Sequence, residues 1–131
     1  MRFQSTYSED EVPPAPIVEA TLYDPIMEAA ARLTAKVDSG FSGSVLIPLD
    51  QYLKLGLQLY EEPQKAVAGR LATGVVVPLR TSKGVLQIGS EQVPCSVYCT
   101  PLLQKPLVGR ELLNLWRTVL NGPKRLVEME F

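Results

Sequence analysis

Residues 35–43 read AKVDSGFSG and place a carboxylate at the end of an apolar strand. The strand itself is predicted at Ala31–Val37, where apolar and polar side chains alternate. A strand end holds Asp38 at a fixed depth, the Ser39 hydroxyl can hydrogen-bond neighbouring backbone, and Gly40 lets the chain turn back beside the carboxylate. Taken alone, Asp-Ser-Gly is also a common turn tripeptide, so an ordinary turn is the alternative interpretation.

Length and composition limit the chemistry that this segment can support. The 131 residues suffice for one domain with a core, and 46% hydrophobic with 21% charged residues is typical of soluble globular proteins. With 13 Lys+Arg and 14 Asp+Glu the net charge is -1, which argues against nucleic-acid binding through a basic surface. The sequence contains no histidine, which excludes Ser-His-Asp and Cys-His nucleophile systems and histidine metal cages. Any hydrolysis must therefore use carboxylates, Lys, Tyr or backbone groups.

The sequence predicts no contact with membranes. The first sixteen residues, MRFQSTYSEDEVPPAP, contain no apolar signal region, and no later stretch approaches about 18 consecutive apolar residues. We therefore expect a cytoplasmic protein.

Two cysteines, Cys95 and Cys99, lie four residues apart. On one face of a strand they would be about 13 Å apart, which is too far for a disulfide bond. Without histidine they are at most half of a zinc site. We expect reduced packing residues, with an intersubunit role as the alternative, and neither a metal nor another cofactor.

Prolines and glycines divide the chain into short pieces, which favours strands over a helical bundle. Strands are predicted at Ile17–Tyr23, Ala31–Val37, Val45–Ile47, Leu71–Leu79, Val85–Ile88, Val93–Thr100, Thr118–Leu120 and Leu126–Phe131, with a turn-forming link at Thr81–Gly84. Short helices are predicted at Leu49–Leu55 and Arg110–Trp116. Residues 1–16 are acidic and proline-rich and predict a loose arm, with an ordered role in subunit contact as the alternative. The predicted division is an arm at 1–16 and a domain at 17–131.

A second motif, LVGRELL, occupies residues 107–113. Together with Asp38-Ser39-Gly40 and the apolar Val45–Ile47, it resembles the retropepsin-like (retroviral-type, clan AA) aspartic peptidases. In that family an apolar strand ends in Asp-(Thr/Ser)-Gly, and a later segment reads apolar-apolar-Gly-Arg-(Asp/Asn)-Leu-Leu. The segment VDSGFSGSVLI is most similar to the cellular, non-viral members. The chain departs from the pattern at Glu111, which follows Arg110, and at Ser42, where viral members carry an acidic residue.

The resemblance implies a mainly β, closed acid-protease barrel with one or two short helices, active as a homodimer. It implies that Asp38, Ser39 and Gly40 form the catalytic motif: Asp38 supplies one of two carboxylates that share a proton and activate water, Ser39 braces the loops, and Gly40 offers backbone to substrate. No metal or histidine is needed for this chemistry.

Two further roles come from the same resemblance. Arg110 is implied to have a structural ion-pair role, and the alternative is a solvated arginine at a helix start. A flap over the bound peptide is implied in the interval between the two motifs, with an ordinary β-turn as the alternative. The flap residues are Ala72, Thr73, Gly74 and Val75.

The chain supplies only half of a two-carboxylate site. The other aspartates, Asp10, Asp24 and Asp50, are not followed by Ser-Gly or Thr-Gly. An active form must then be a symmetric homodimer with each Asp38 on the two-fold axis. The predicted function is an aspartic endopeptidase that acts on extended peptides or proteins. A catalytically silent peptide-binding or dimerisation domain of the same fold is the alternative, and processing of a larger polyprotein is a third possibility.

Overall fold

The computed structural model describes residues 2–61, 67–70 and 76–131. These ranges form ten strands, two α-helices of one or two turns and a 3₁₀ helix at Leu57–Tyr60. The strands are β1 (Arg2–Ser8), β2 (Ala15–Tyr23), β3 (Ala30–Val37), β4 (Val45–Pro48), β5 (Val67–Arg70), β6 (Val76–Ile88), β7 (Glu91–Thr100), β8 (Leu107–Val108), β9 (Arg117–Asn121) and β10 (Leu126–Glu130). The helices are α1 (Leu49–Lys54) and α2 (Arg110–Leu113).

Six strands close into a ring. Neighbours run in the order β2, β3, β8, β4, β7 and β6, and β6 returns to β2. The closing contact pairs Thr21 with Gln87 and Tyr23 with Val85. The predicted mainly β, closed architecture is therefore confirmed.

The longest strand, β6, corrects one prediction. It continues without interruption from Val76 to Ile88, so the turn predicted at Thr81–Gly84 is wrong. A Cβ on Gly84 would lie 2.8 Å from Val97 Cγ2 and 3.0 Å from the Tyr23 carbonyl oxygen. Close packing between strands requires this glycine, and the backbone does not turn there.

The two ends of the described chain extend the ring. β1 pairs with β10, β10 pairs with β9, and β1 joins the ring through Tyr7 and Ser8, which pair with Pro16 and Ala15 of β2. The prediction of a loose arm is therefore wrong for Arg2–Ser8. The division into 1–16 and 17–131 stays a prediction.

Ion pairs hold the acidic connection between β1 and β2 against the rest of the chain. Glu9 pairs with Arg125 at 2.9 Å, and Glu11 pairs with Lys36 at 2.7 Å. The cations lie far away in the sequence, so the local excess of acids is neutralised only after folding.

Apolar side chains fill the ring. The largest fully buried ones include Tyr52, Leu22, Leu33, Ile47, Leu57, Leu86, Ile88, Leu112 and Met129. Cys95 and Cys99 are free and buried within the same core, as predicted for packing residues. Across the described ranges, no helix has both the length and the apolar character needed to cross a membrane.

The two predicted helices form, but both differ in extent from the prediction. α1 ends at Lys54, one residue before the predicted end at Leu55. α2 covers only Arg110–Leu113, because β9 starts at Arg117 and leaves room for little more than one turn.

Candidate active site

The first site residue, Asp38, continues the regular ladder between β3 and β8. The Lys36 N–H donates to the Pro106 carbonyl oxygen, and the Asp38 N–H donates to that of Val108, each at 2.9 Å. Amides two residues apart bond to carbonyls two residues apart, so the backbone stays extended through Asp38. The Asp38 side chain therefore leaves the same face of β3 as Lys36, opposite the buried Val37.

The carboxylate of Asp38 is oriented by its own turn. The Gly40 N–H donates to Asp38 Oδ1 at 2.9 Å, and the Phe41 N–H donates to the Asp38 carbonyl oxygen at 3.1 Å. A Cβ on Gly40 would lie 3.0 Å from Asp38 Oδ1, so a larger residue would crowd the carboxylate. Ser39 and Gly40 are exposed and Asp38 is half-buried. The structure thus brings the three predicted residues together in one exposed loop, while their catalytic role stays a prediction.

The second motif fastens this loop through its backbone. Residues 38–44, between β3 and β4, form the Asp38 loop. Three consecutive amides donate to its carbonyl oxygens: Gly109 to Ser44 at 2.8 Å, Arg110 to Phe41 at 2.8 Å and Glu111 to Gly43 at 3.2 Å. A Cβ on Gly109 would lie 2.6 Å from the Phe41 carbonyl oxygen and closer still to that of Gly43. The two motifs are therefore in direct contact, and Gly109 is the residue that permits it.

The sequence did not predict the contact between two aromatic rings, those of Phe41 and Tyr98, at this loop. The Phe41 ring packs edge-to-face against Tyr98 of β7, with centroids 5.8 Å apart and planes at 90°. A Cβ on Gly43 would lie 2.6 Å from Phe41 Cζ and 2.7 Å from Tyr98 Cε2. Phe41 and Gly43 belong to the Phe-Ser-Gly continuation of the first motif and could have been singled out from it. Nothing in the sequence around Tyr98 indicates that its ring contacts this loop.

Two other predicted site features remain untested. The Arg110 side chain is exposed and makes no ion pair with the residues that the structure describes, so its structural ion-pair role stays a prediction. The predicted flap residues Ala72, Thr73, Gly74 and Val75 lie outside the described residues. The strands on either side of them, β5 and β6, pair antiparallel, from Val67 with Leu79 to Arg70 with Val76.

The other carboxylates of interest do not join Asp38. Asp24 lies beyond the opposite end of β3, about 26 Å away along the strand, and accepts the N–H groups of Glu28 at 2.7 Å and Ala29 at 3.0 Å. Asp50 is exposed on α1. Within residues 2–61, 67–70 and 76–131, no three His, Cys, Asp or Glu side chains are grouped as a metal site would need.

A separate polar cluster lies at the base of the β5–β6 hairpin. Arg80 of β6 donates to Glu61 through Nε at 2.7 Å and Nη2 at 3.2 Å, and its guanidinium carbon lies 5.6 Å from the centre of the Tyr52 ring. The hydrogen bonds from Arg80 lower the pKa of Glu61, and burial raises the pKa of Tyr52. This ion pair joins β6 to the segment that follows the 3₁₀ helix.

Comparison with known proteins identifies the architecture. No protein-family model and no curated protein matches the sequence. Among solved structures, a retropepsin-like aspartic protease from Rickettsia conorii superposes with a TM-score of 0.62 at 15% identity, over 98% of this chain and 90% of that one. The EIAV protease in complex with the inhibitor HBY-793 superposes with a TM-score of 0.60 at 15% identity, over 84% of this chain and 92% of that one. The chain has the fold of the retropepsin-like aspartic proteases.

Proposed function

We propose that this chain is an aspartic endopeptidase that cleaves extended peptides as a homodimer, with one Asp38 from each subunit. The observation that carries the proposal is the Asp38 loop. Its carboxylate follows the half-buried strand β3, accepts a hydrogen bond from the Gly40 N–H and lies next to the exposed Ser39 and Gly40. Support also comes from the solved structures of the same fold, which are described as proteases.

In the proposed mechanism two Asp38 carboxylates share one proton, because like charges about 3 Å apart cannot both ionise. The ionised carboxylate takes a proton from a water molecule, which attacks the scissile carbonyl carbon. The protonated carboxyl group donates to the carbonyl oxygen, giving a tetrahedral diol. Proton transfer to the leaving nitrogen then breaks the C–N bond and restores the shared proton. Gly40 offers backbone to the peptide, and Ser39 braces the two loops across the axis.

The need for a second copy follows from the count of carboxylates. Asp24 is engaged at the far end of β3. β4 begins at Val45 opposite Val108, whose carbonyl oxygen accepts the Asp38 N–H, and Asp50 follows the other end of β4. These positions argue against either aspartate as the second carboxylate of the dyad. A surface that could accept a second copy is β9, which ends the strand order of the sheet. Leu120 within β9 is 49% exposed, and Leu115, which precedes the strand, is 56% exposed. An edge strand with unpaired backbone groups and exposed leucines favours association with another chain.

The peptide is proposed to bind in extended form across the two Asp38 loops. β5 lies at one end of the strand order and pairs with β6, and residues 72–75 between these two strands are the proposed flap that covers the peptide and excludes water. Backbone hydrogen bonds would then supply affinity, while side-chain pockets supply selectivity.

The first test of this proposal removes the Asp38 carboxylate by substitution. Asp38→Asn should abolish cleavage of a denatured protein substrate, because an amide can neither ionise nor activate water. Asp50→Asn is the matched control and should retain activity. The cleavage activity of the wild type, plotted against pH, should be bell-shaped with its maximum on the acid side of neutral. The reason is that the pair of Asp38 carboxyl groups must retain one proton.

Mixing the wild type with Asp38→Asn protein tests the shared dyad directly. After subunit exchange at equal amounts, about a quarter of the dimers contain two wild-type chains, and activity per wild-type chain falls to about half. Sedimentation shows whether a dimer forms, and an affinity tag on the Asp38→Asn chain alone shows, by co-purification of untagged wild type, that the subunits exchange. Constant activity per wild-type chain after confirmed exchange rejects the shared dyad. A dimer that binds peptide but cleaves nothing supports the silent-domain alternative.

A further inference from the structure

A lysine lies next to Asp38 on the same face of β3. The ladder to β8 keeps the backbone extended from Lys36 to Asp38, so their Cα atoms are about 6.6 Å apart and both side chains leave the same face. Lys36 is half-buried, unlike a freely solvated surface lysine. Lys36 is therefore the cationic residue of β3 that lies nearest to Asp38 along the strand.

An acidic side chain from the β1–β2 connection holds this lysine. Lys36 Nζ donates to Glu11 Oε1 at 2.7 Å, and the two side chains are 36% and 29% exposed. The hydrogen bond from Lys36 lowers the pKa of Glu11, and the charge of Lys105 lowers it further. Lys105 immediately precedes Pro106, whose carbonyl oxygen accepts the Lys36 N–H. Lys36 and Glu11 are therefore in direct contact, and Lys105 is near enough to add a second positive charge to their surroundings.

We propose that Lys36, Lys105 and Glu11 form a substrate subsite that takes an acidic peptide side chain next to the scissile bond; this inference rests on the proposed function. An ammonium group has three N–H donors, and the Glu11 contact occupies one of those on Lys36. The cluster carries a net positive charge, so it attracts a carboxylate and repels a lysine side chain. Glu11 holds Lys36 in place and also competes with the substrate for it.

The test measures kcat/KM at about pH 6, where a substrate glutamate is ionised. Three peptides are compared, and they differ only at the residues that flank the scissile bond. These residues are Glu in the first peptide, Gln in the second and Lys in the third. For the wild type we expect the Glu peptide to be cleaved about fivefold faster than the Gln peptide and the Lys peptide to be the slowest, because a partly exposed ionic contact contributes about this much. The Glu preference should shrink as salt is added.

Variants assign the preference to individual side chains. Lys36→Met should bring the Glu-to-Gln ratio to about one, and Glu11→Gln should raise it above the wild-type ratio, because Lys36 loses its competing carboxylate. Arg32→Met is the matched control, since Arg32 lies on the same face of β3 but six residues before Asp38, and it should keep the wild-type ratio. Lys36→Gln, with thermal melting of each variant, separates loss of the subsite from loss of the fold.

The outcomes separate this inference from the proposed function. Cleavage of the Gln peptide with a Glu-to-Gln ratio of one in the wild type overturns the subsite alone. An equal loss of preference in Arg32→Met and Lys36→Met also overturns it, because the effect would then be general charge. Failure of the wild type to cleave any of the peptides removes the proposed function and the subsite with it.

Discussion

Replacing Gly109 with alanine should destabilise the protein strongly, although the backbone angles at this position suit any residue. Gly109 has φ -107° and ψ -174°, which is extended backbone. The difficulty is space: an added Cβ would lie 2.5 Å from Phe41 Cδ2, 2.6 Å from the Phe41 carbonyl oxygen and closer still to the Gly43 carbonyl oxygen. Two of these three atoms belong to the backbone, so no change of rotamer removes the clash.

The size of the effect follows from what must move. Relieving the contact separates the second motif from the Asp38 loop, whose carbonyl oxygens accept hydrogen bonds from Gly109, Arg110 and Glu111. Overpacking of a tight interior typically costs about 1–3 kcal/mol, and weakening one of these hydrogen bonds adds about 1 kcal/mol. We expect the free energy of unfolding to fall by about 3 kcal/mol, which for a domain of this size lowers Tm by roughly 10 °C.

The assay is thermal and urea unfolding, followed by circular dichroism. Gly122→Ala is the matched control, because nothing lies within 4 Å of a Cβ built there, and its Tm should stay within about 2 °C of the wild type. If Gly109→Ala melts together with Gly122→Ala, the contact between the two motifs is looser than described, and the assignment of Gly109 as the residue that permits it is wrong.

Two further predictions concern ionisable side chains away from Asp38. Because Arg80 lowers the pKa of Glu61, the pair stabilises the fold fully above the ordinary Glu pKa, and this contribution is lost as pH falls through the lowered value. In urea unfolding, Glu61→Gln should cost up to about 1 kcal/mol at pH 7, and the cost should shrink steadily as the pH is lowered below the ordinary Glu pKa. A cost that does not change with pH would contradict the ion pair. Burial raises the pKa of Cys95 to about 12 and that of Cys99 to about 11. Neither thiol should therefore react with a thiol reagent at pH 8 until urea unfolds the chain. Rapid labelling of the native protein would refute the burial of these two side chains.

The sequence predicted the parts of the fold that local patterns encode. Alternation located β2 and β3, and the two motifs identified the loops that meet around Asp38. The loop contacts then explain why both motifs contain glycine: Gly43 and Gly109 each lack the room for a Cβ. The alternation and the two motifs each involve residues that are close together in the sequence, so they can be recognised in a single sequence.

The errors arose where distant residues decide the local structure. The acids and prolines of residues 1–16 predicted a loose arm, but β10 supplies a strand partner for Arg2–Ser8, and Arg125 and Lys36 neutralise Glu9 and Glu11. Gly84 predicted a turn within what is one continuous strand, because the atoms that require a glycine belong to β2 and β7. The contact of Glu11 with Lys36, two residues before Asp38, was missed for the same reason, since it forms only after folding.

At the Asp38 loop, stability depends on backbone contacts, whereas the proposed catalysis depends on the Asp38 carboxylate. Two substitutions, Asp38→Asn and Gly109→Ala, distinguish these two contributions. Asparagine keeps an oxygen at the position of Asp38 Oδ1 and can still accept the Gly40 N–H, so the turn loses none of its described hydrogen bonds. Asp38→Asn should therefore melt within about 2 °C of the wild type while losing cleavage, whereas Gly109→Ala should lose stability through contacts that do not involve a carboxylate. A large fall in Tm for Asp38→Asn would mean that the carboxylate charge itself holds the loop together, and loss of activity in that variant would then no longer report on catalysis.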